Sequence, residues 1–379
     1  MAERFIGESI GKLGFGFMRV PLKDGEFDYD QTCKMVDRFQ ESGYSLYHTA
    51  WAYEGDEEFL GETVVKRYPR DQFQIADNLP VHVISDPTQV EPMFKQSLER
   101  LGVDYIDFFL LHMLRLPLSE LCEQTGAWQF LSDMKAAGKI KHIGFSFHDS
   151  PANLDAILTK HPETDFVQLQ INYADWGDFA KACYDVAWVK HKKPIMIMEP
   201  VKGGILASDI PAISDEFKKL NPNASNASWA MRFVLGLEGL ITAFSGMSSL
   251  EQMEDNITTT KNYKPFSPEE EAAVWKVAEN LKTAAGYQCT SCRYCVPLCP
   301  AKIRINDMIQ CINDVDTFNQ PGKGKHHYDF ITGHEIKGGK PGDCVECGEC
   351  EGHCPQHLPI IELMKKADDM FENMVIDQA

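Results

Sequence analysis

The chain has 379 residues, of which 44% are hydrophobic and 25% charged, the composition of an ordinary globular protein with a full core. Its formal charge of −19, from 56 acidic and 37 basic residues, disfavours phosphate backbones and anionic membrane surfaces as partners. The first residues contain no apolar signal segment, and no apolar run is long enough for a membrane span. We therefore expect a cytoplasmic protein that binds neither nucleic acid nor membrane.

Short apolar segments alternate with amphipathic segments from residue 12 to about residue 260. The apolar segments have the length of strands, and the others have helical spacing with caps such as Asp86 and stops such as Gly102. Eight strands alternating with helices predict an α/β fold, a (β/α)8 TIM barrel rather than a six-stranded doubly wound sheet. The predicted strands cover residues 13–20, 44–49, 72–76, 105–112, 142–146, 166–171, 194–198 and 240–245.

The Gly14-Phe15-Gly16 segment of the first strand does not fit a dinucleotide-binding fingerprint, because no third glycine or helix start follows at the right distance. We expect it to mark close packing at the end of the barrel. Ser267 caps a further helix. The predicted domains are a barrel at 1–265, a linker helix at 266–285 and a small, mainly helical domain at 286–379, with an exposed loop at 319–342.

Two cysteine runs, CTSCRYCVPLCP and CVECGECEGHCP, lie in this last domain. Each has the spacing Cys-x2-Cys-x2-Cys-x3-Cys-Pro of two-cluster ferredoxins, in which the fourth cysteine of each run ligates the other cluster. The spacing predicts two [4Fe-4S] clusters in a ferredoxin-like domain. The first is predicted on Cys289, Cys292, Cys295 and Cys354, and the second on Cys344, Cys347, Cys350 and Cys299.

Zinc and disulfides are the alternatives for these cysteines. Structural zinc needs only four ligands, usually as paired Cys-x2-Cys units, and disulfides need an oxidising compartment for which the sequence gives no sign. The other four cysteines, Cys33, Cys122, Cys183 and Cys311, are scattered and are expected to be small buried hydrophobic residues.

Polar motifs stand where the predicted strands end: YHTAWAYEGDEEFLG after the second, IADNLP at the third and LLH at the fourth. Together with GFSFHDS, VQLQINY, MEPVKGG and SGMSSLEQMEDN, they resemble the aldo-keto reductase family over residues 12 to about 260. With the cysteine runs attached, the chain is similar to the branch of that family that carries a C-terminal ferredoxin-type domain. The resemblance implies an oxidoreductase that acts on a small carbonyl compound.

The family's catalytic tetrad consists of Asp, Tyr, Lys and His. By resemblance, the Tyr is Tyr53 and the His is His112, whereas His48 stands at the Asp position and Asn78 at the Lys position. Replacing only the Asp or only the Lys would leave the other charge buried without a partner, at a cost of about 3–5 kcal/mol. Replacing both avoids this cost. A phenol without the lysine should titrate near its usual pKa of about 10. We therefore expect slow chemistry, biased toward reduction.

The positions that contact the nucleotide in the family are only partly matched. Phe147 replaces the usual Asn, and Gln252 stands where many NADPH-preferring members carry Arg. Without this Arg there is no bidentate contact for the 2′-phosphate, which favours NAD(H) over NADP(H). The positions that match the family are Ser146 and Gln168 at the nicotinamide, Gly246 at the phosphates, and Asp255 and Asn256 at the adenine.

A metal site is a further hypothesis at the predicted strand ends. His48, His112 and His148, near Glu199 and Lys202, are residue types that could hold zinc or iron. The competing interpretation is that His112 orients the carbonyl, His148 packs on a loop and His48 hydrogen-bonds Asn78.

Nicotinamide passes two electrons as hydride, whereas a cluster passes one. The two kinds of site therefore need an intermediary, for which we expect a flavin on the protein or on a partner such as a ferredoxin, flavodoxin or flavoprotein. The expected substrate pocket is lined by Trp51, Tyr53, His112 and Trp176. The alternative functions are a non-catalytic electron-transfer or assembly subunit and a lyase that uses the altered pocket. Because exposed clusters are oxygen-labile, we expect an anaerobic host.

Overall fold

A computed structural model of the protein describes residues 10–284, 286–317, 320–333, 338–372 and 374. These residues form two compact units: unit 1 comprises residues 10–201 and 227–271, and unit 2 comprises Lys202–Asn226 with the described residues from Ala272 onward. This division differs from the predicted boundaries at 265 and 285, because a segment within the barrel sequence groups with the cysteine-containing region. In the described part of the chain, every helix is too short or too polar to cross a membrane.

Unit 1 contains a closed barrel in which eight parallel strands pair in sequence order and the last pairs with the first. This confirms the (β/α)8 fold that the alternation predicts. The strands are β1 (Leu13–Gly16), β2 (Leu46–His48), β3 (Gln74–Leu79), β4 (Ile106–Leu114), β5 (Ile140–Phe147), β6 (Phe166–Gln170), β7 (Ile195–Met198) and β8 (Leu240–Ser245).

Three helices begin at side-chain caps, where Asp28, Ser150 and Ser249 each accept a hydrogen bond from a backbone N–H of the first turn. In chain order the helices are α1 (Tyr29–Glu41), α2 (Asp56–Leu60), α3 (Val90–Leu101), α4 (Leu116–Gln124), α5 (Ala127–Ala136), α6 (Pro151–Lys160), α7 (Lys181–Tyr184), α8 (Pro211–Leu220), α9 (Asn226–Leu235), α10 (Leu250–Lys261), α11 (Pro268–Ala284), α12 (Ile305–Asp316), α13 (Pro321–Thr332), α14 (Glu349–Gly352) and α15 (Ile360–Phe371).

The barrel interior is filled by side chains rather than open. Alternate residues of the strands point inward and pack against one another, which is the normal filling of an eight-stranded barrel. This interior cluster comprises Ile10, Leu46, Ala76, Phe108, Leu110, Phe166, Met196, Ile241 and Phe244, all buried. A larger buried apolar layer lies between the strands and the surrounding helices.

Unit 2 has a core of its own, built from α12, α13, α15 and several of the cysteines. The predicted exposed loop at 319–342 is wrong in part, because residues Pro321–Thr332 form α13. Its Gly, Lys and His residues suggested a loop, but Tyr328 and Ile331 are three residues apart, so they share one helix face and are both buried. Burial of that face outweighs the weak helix propensity of the segment.

Replacing Gly14 by alanine should destabilise the barrel. A Cβ atom there would lie 2.4 Å from Cδ1 of Phe244, a member of the interior cluster. We expect a loss of about 1–3 kcal/mol from overpacking, measured as a lower urea midpoint in far-UV circular dichroism. Gly16→Ala in the same strand is the control, because its Cβ would meet Ser245 O at 3.5 Å, an ordinary contact. Equal midpoints in the two variants would contradict close packing at Gly14.

Candidate functional site

The C-terminal ends of the strands bring the predicted catalytic side chains together. His48 is the last residue of β2, Asn78 is next to last in β3, and His112 lies near the end of β4. Tyr53 lies in the turn that follows β2. Because all strands of a parallel barrel end at the same rim, these four residues share the position at which barrel enzymes carry their chemistry.

Tyr53 lies edge to face with two imidazole rings at this rim. The ring centroids of Tyr53 and His112 are 5.8 Å apart with an interplanar angle of 81°. Those of Tyr53 and His48 are 6.4 Å apart at 73°, and His48 also stacks on Phe244 at 4.6 Å. These are ordinary contact distances for aromatic rings, so the packing defines the orientation of the phenol.

The residues at the Asp and Lys positions of the tetrad form a neutral pair. His48 is buried, and burial lowers its pKa to about 4, although hydrogen bonding with the Asn78 side chain acts in the opposite direction. Nε2 of Gln168 lies 3.4 Å from Nε2 of His48. At neutral pH, His48 and Asn78 therefore place no positive charge beside Tyr53.

His112 is 2% exposed, and burial lowers the pKa of its imidazole well below the usual value, with contributions from His82, His48 and His148. The ring of His82 lies 5.8 Å from that of His112 at an angle of 72°. His82 is half-buried in the turn Val81–Val83 after β3. No sequence pattern singles out His82, because one histidine in a short turn has no informative spacing.

Two carboxyl groups lie on the side of β3 that faces the helices. Burial raises the pKa of Asp77 well above its usual value, and the nearby charge of Glu57 raises it further. Asp77 Oδ1 accepts a hydrogen bond from the backbone N–H of Asn78 at 2.7 Å. Arg100 Nη1 donates to Glu57 Oε2 at 2.8 Å. The raised pKa favours the protonated form of Asp77, whose hydrogen bond supports the backbone that carries Asn78.

Ser146, predicted to contact nicotinamide, ties β4 to β5. Its Oγ accepts a hydrogen bond from the backbone N–H of Met113 at 2.7 Å. Met113 has φ 56°, in the left-handed region where a non-glycine residue is strained. Since Met113 directly follows His112, this hydrogen bond stabilises the backbone next to the His112 imidazole. Phe147, at the position of the usual Asn, is buried.

The predicted phosphate segment lies beside an arginine that sequence analysis missed. A Cβ on Gly246 would lie 3.1 Å from the side chain of Arg19, which also pairs with Glu199 at 3.4 Å. Gln252 Oε1 accepts from the backbone N–H of Ser248 at 2.8 Å, so this side chain completes the start of α10. Arg19 follows β1 outside any motif, and only the fold brings it to Gly246.

The two adenine positions are on α10. Asn256 Nδ2 donates to Ser245 Oγ at 2.8 Å in the buried layer between α10 and β8. This hydrogen bond gives Asn256 a structural role, and its contact with a nucleotide stays a prediction, as does that of Asp255.

The two tryptophans of the expected pocket are held by their neighbours. Trp51 Nε1 donates to Gln96 Oε1 at 2.8 Å, and the Arg100 guanidinium lies 5.1 Å from the centre of its ring. Trp176 packs edge-on against Phe233, with centroids 5.4 Å apart. That these indoles line a pocket with Tyr53 and His112 stays a prediction.

The metal hypothesis for the barrel gains no support. Among the residues that the structure describes, no three or more His, Cys, Asp and Glu side chains are grouped to hold a single metal ion. His48 and His112 instead pack their rings against Tyr53. Glu199 belongs to unit 1, whereas Lys202 belongs to unit 2.

The eight cysteines of the two runs line two cavities in unit 2, four to each cavity. Each cavity takes three cysteines from one run and the fourth from the other run. The first is lined by Cys289, Cys292, Cys295 and Cys354, and the second by Cys344, Cys347, Cys350 and Cys299.

The backbone winds around both cavities in the same way. Residues with a left-handed backbone stand at three matched positions in and just after the two runs, and the turns that they form allow thiols separated by two residues to converge. Burial raises the pKa of Cys350 to about 11, so its thiol is protonated at neutral pH unless a cation binds. Four thiols around each cavity therefore fit an iron–sulfur cluster. The matched pairs are Ser291 (φ 52°) and Glu346 (54°), Arg293 (63°) and Gly348 (78°), and Lys302 (56°) and His357 (51°).

The two parts of the chain match two different protein families. The sequence profile of the aldo/keto reductase family matches residues 12–279, and that of the 4Fe-4S dicluster domain matches residues 288–358. A crystal structure of an aldo-keto reductase from Klebsiella pneumoniae in complex with NADPH is similar, with a TM-score of 0.56, 20% identity, and coverage of 70% of this chain and 90% of that one. The holo form of an aldo-keto reductase from Bacillus halodurans has the same TM-score, with 21% identity and coverage of 72% and 93%.

Curated relatives extend this match. A norsolorinic acid reductase of Emericella nidulans is 32% identical over 278 residues, 62% of this chain and 69% of that protein. An aldo-keto reductase of Strobilurus tenacellus is 25% identical, with 74% and 92% covered. An NADH-specific methylglyoxal reductase of Escherichia coli is 21% identical, with 66% and 89% covered. The barrel strands, the positions of Tyr53 and His112 and these matches lead to one conclusion: the chain belongs to the aldo/keto reductase family and carries a 4Fe-4S dicluster domain.

Proposed function

We propose that this oxidoreductase reduces a small carbonyl compound at the C-terminal rim of the barrel, with Tyr53 as the proton donor. The observation that carries this proposal is the edge-to-face packing of Tyr53 on the buried, neutral His112 at 5.8 Å. A phenol O–H donates to a carbonyl oxygen, and a neutral imidazole beside it orients the same oxygen by hydrogen bonding. His112 is therefore the positioning partner of Tyr53.

The neutral pair sets the direction and the rate of the reaction. Neither His48 nor Asn78 supplies the positive charge that the lysine of the family's tetrad places beside the tyrosine. The phenol keeps its proton at neutral pH, which suits donation to a carbonyl and hinders removal of a proton from an alcohol. We propose a reductase that is slow in the direction of alcohol oxidation.

Reduced nicotinamide, when bound, supplies the hydride for such a reduction. Ser146 and Gln168 would hold its carboxamide, while Gly246, Arg19 and the start of α10 would face its phosphates. Gln252 adds no charge for a 2′-phosphate, and its Oε1 already accepts from Ser248, so we propose NADH as the preferred form. The NADH-specific relative from Escherichia coli makes NADH and methylglyoxal reasonable first probes.

We also propose that the two cysteine sets hold two [4Fe-4S] clusters. Such clusters supply electrons one at a time, so a group that exchanges both one and two electrons is needed between them and nicotinamide. We propose a flavin on this chain or on a partner for that step, and a ferredoxin, flavodoxin or flavoprotein as the electron partner. The net charge of −19 favours a partner with a basic surface.

The second candidate function is an electron-transfer or assembly subunit whose barrel does not catalyse. The replacement of both charged tetrad residues by His48 and Asn78 favours it, because catalytic aldo-keto reductases rely on that pair. The same change is compatible with a lyase that uses the pocket for proton transfer alone. Turnover of a carbonyl compound separates the reductase from both alternatives.

Tyr53→Phe should lower turnover, because the phenol proton is lost while the ring packing stays. In oxygen-free protein with NADH and methylglyoxal, we expect kcat/KM to fall by roughly 10²–10⁴-fold. Tyr44→Phe is the control, since Tyr44 stacks on Phe39 at 5.5 Å within the apolar core. Undiminished turnover in Tyr53→Phe would remove Tyr53 as the donor. A parent enzyme that reduces no small aldehyde or ketone with NADH, NADPH or dithionite would favour the carrier function.

Replacing His48 and Asn78 by the Asp and Lys of the family's tetrad should allow the protein to oxidise alcohols. His48→Asp or Asn78→Lys alone should destabilise the barrel by about 3–5 kcal/mol, because each buries one unpaired charge. The double variant should recover much of this loss and should oxidise alcohols at lower pH than the parent, since an ammonium group beside Tyr53 lowers the pKa of the phenol. Urea unfolding and the pH dependence of NAD-linked oxidation measure the two effects. Additive destabilisation in the double variant would show that the two positions do not interact.

Gly203→Ala should reduce the iron content. Gly203 and Gly204 both have positive φ, of 63° and 97°, so alanine at either position carries a backbone strain of about 1–3 kcal/mol. Only at Gly203 would the new Cβ lie 2.9 Å from the backbone of Thr290, next to Cys289, while at Gly204 it meets open space. The parent should hold about eight iron atoms per chain. We expect fewer in Gly203→Ala and a near-parent value in Gly204→Ala; equal contents in the two variants would show that this contact is unimportant for the first cysteine run.

A further inference from the structure

We propose that the two cysteine-lined sites of unit 2 are unequal, and that an electron entering this unit comes to rest at the first site, where polar side chains raise the reduction potential. The inference rests on the proposed function, in which each site holds a [4Fe-4S] cluster. The transfer is balanced: a one-electron partner protein is oxidised by one electron, the first site is reduced by one, and no bond forms or breaks. The first site is the one lined by Cys289, Cys292, Cys295 and Cys354.

The two cavities are built from equivalent positions. Each residue that lines the first cavity has a counterpart in the second at a constant separation along the sequence, the separation that joins Cys289 to Cys344. The two linings can therefore be compared position by position. Because the frame is shared, a difference between two counterparts is a difference between the sites themselves.

The lining of the first cavity includes a positively charged residue. Arg293 directly follows Cys292 in this lining, and its counterpart in the second cavity is Gly348. A cluster gains negative charge when it is reduced, so a guanidinium group in the lining stabilises the reduced form and raises the potential. Thr290, which is 2% exposed, adds a hydroxyl group to the first lining, where the second has Val345.

Two amide side chains distinguish the cavities further. Asn306 and Gln356 line the first cavity, and their counterparts in the second are Ile361 and Ala301. Asn306 is 4% exposed, and its Nδ2 donates to Asp307 Oδ1 at 2.7 Å, which fixes the amide in place. Hydrogen bonds to cluster sulfur raise the potential. Within the described part of unit 2, the lining of the second cavity is apolar apart from its cysteines, so its side chains offer no such donors.

Solvent acts in the opposite direction at the second site. Val345 is 64% exposed, so water reaches the rim of that cavity and also stabilises added negative charge. Arg293 is itself exposed, and water screens part of its charge. The negative charge of Asp307 near the first cavity is compensated by Arg304, at 2.5 Å. Since the buried Thr290 and Asn306 are not screened in this way, we expect the polar lining to prevail.

The test is a potentiometric titration of the full-length, oxygen-free protein, in which electron paramagnetic resonance follows the reduced sites. We expect two one-electron steps at different potentials in the parent. Arg293→Gln removes the charge, and Gln356→Ala introduces the residue of the second cavity. Each should lower the more positive step and leave the other step unchanged. For Arg293→Gln we expect a loss of about tenfold in the reduction equilibrium, which is about 59 mV for one electron.

The control is Lys302→Gln, which removes the same charge from another exposed residue with left-handed φ (56°) that lines neither cavity. Both steps should stay near the parent values in this variant, and Arg293→Lys, which keeps the charge, should also resemble the parent. Coincident steps in the parent would overturn the proposal. So would a shift confined to the more negative step in Arg293→Gln and Gln356→Ala, or an equal shift of both steps.

Iron analysis of the same samples separates this inference from the proposed function. About eight iron atoms per parent chain, together with steps that do not respond to Arg293→Gln or Gln356→Ala, would refute the inequality of the sites while the two clusters stand. An iron content well below eight in the parent would refute the cluster assignment, and the inequality would fall with it.

Discussion

The imidazole of His48 is buried, stacks on Phe244 and hydrogen-bonds with Asn78, and its burial disfavours a positive charge. Burial keeps this ring neutral, and it keeps His112 neutral as well. The electrostatic character of the whole rim follows from that constraint. In the tetrad of the family a lysine and an aspartate stabilise the tyrosinate, whereas here Tyr53 packs edge to face against two neutral imidazoles, those of His48 and His112. Aromatic packing, rather than an ion pair, holds the site together.

Ionisable side chains of this part of the barrel lie between the strands and the helices, one layer outside the rim residues. Asp77, the neighbour of Asn78, points toward the helices and shares its environment with Glu57. Arg100 binds Glu57 and also covers the ring of Trp51. Because successive strand residues point to opposite faces, a shift of one position moves a side chain from the barrel interior to the helix layer. The carboxyl groups there support the strand without polarising the substrate side.

Local patterns in the sequence were sufficient for the barrel and for the grouping of its strand ends. The bounds of β8 agree with the prediction, but β3 extends past its predicted end, since the polar residues Asp77 and Asn78 hide the strand. Helix α13 was missed because its composition favours a loop and only tertiary burial stabilises it. His82 could not be identified, because its partner is thirty positions away in sequence and no spacing rule connects the two. The assignment of segment 202–226 to unit 2 likewise depends on long-range contacts.

The exchange of the fourth cysteine between the two cavities has a consequence for biogenesis. Cys354 is grouped with the first run and Cys299 with the second, so neither cavity has a complete set of thiols until both halves of unit 2 have been synthesised and have met. On the proposed ligand assignment, the first cysteine run alone completes neither site. A nascent chain that ends before Cys350 would present only incomplete sites to the machinery that delivers iron and sulfide.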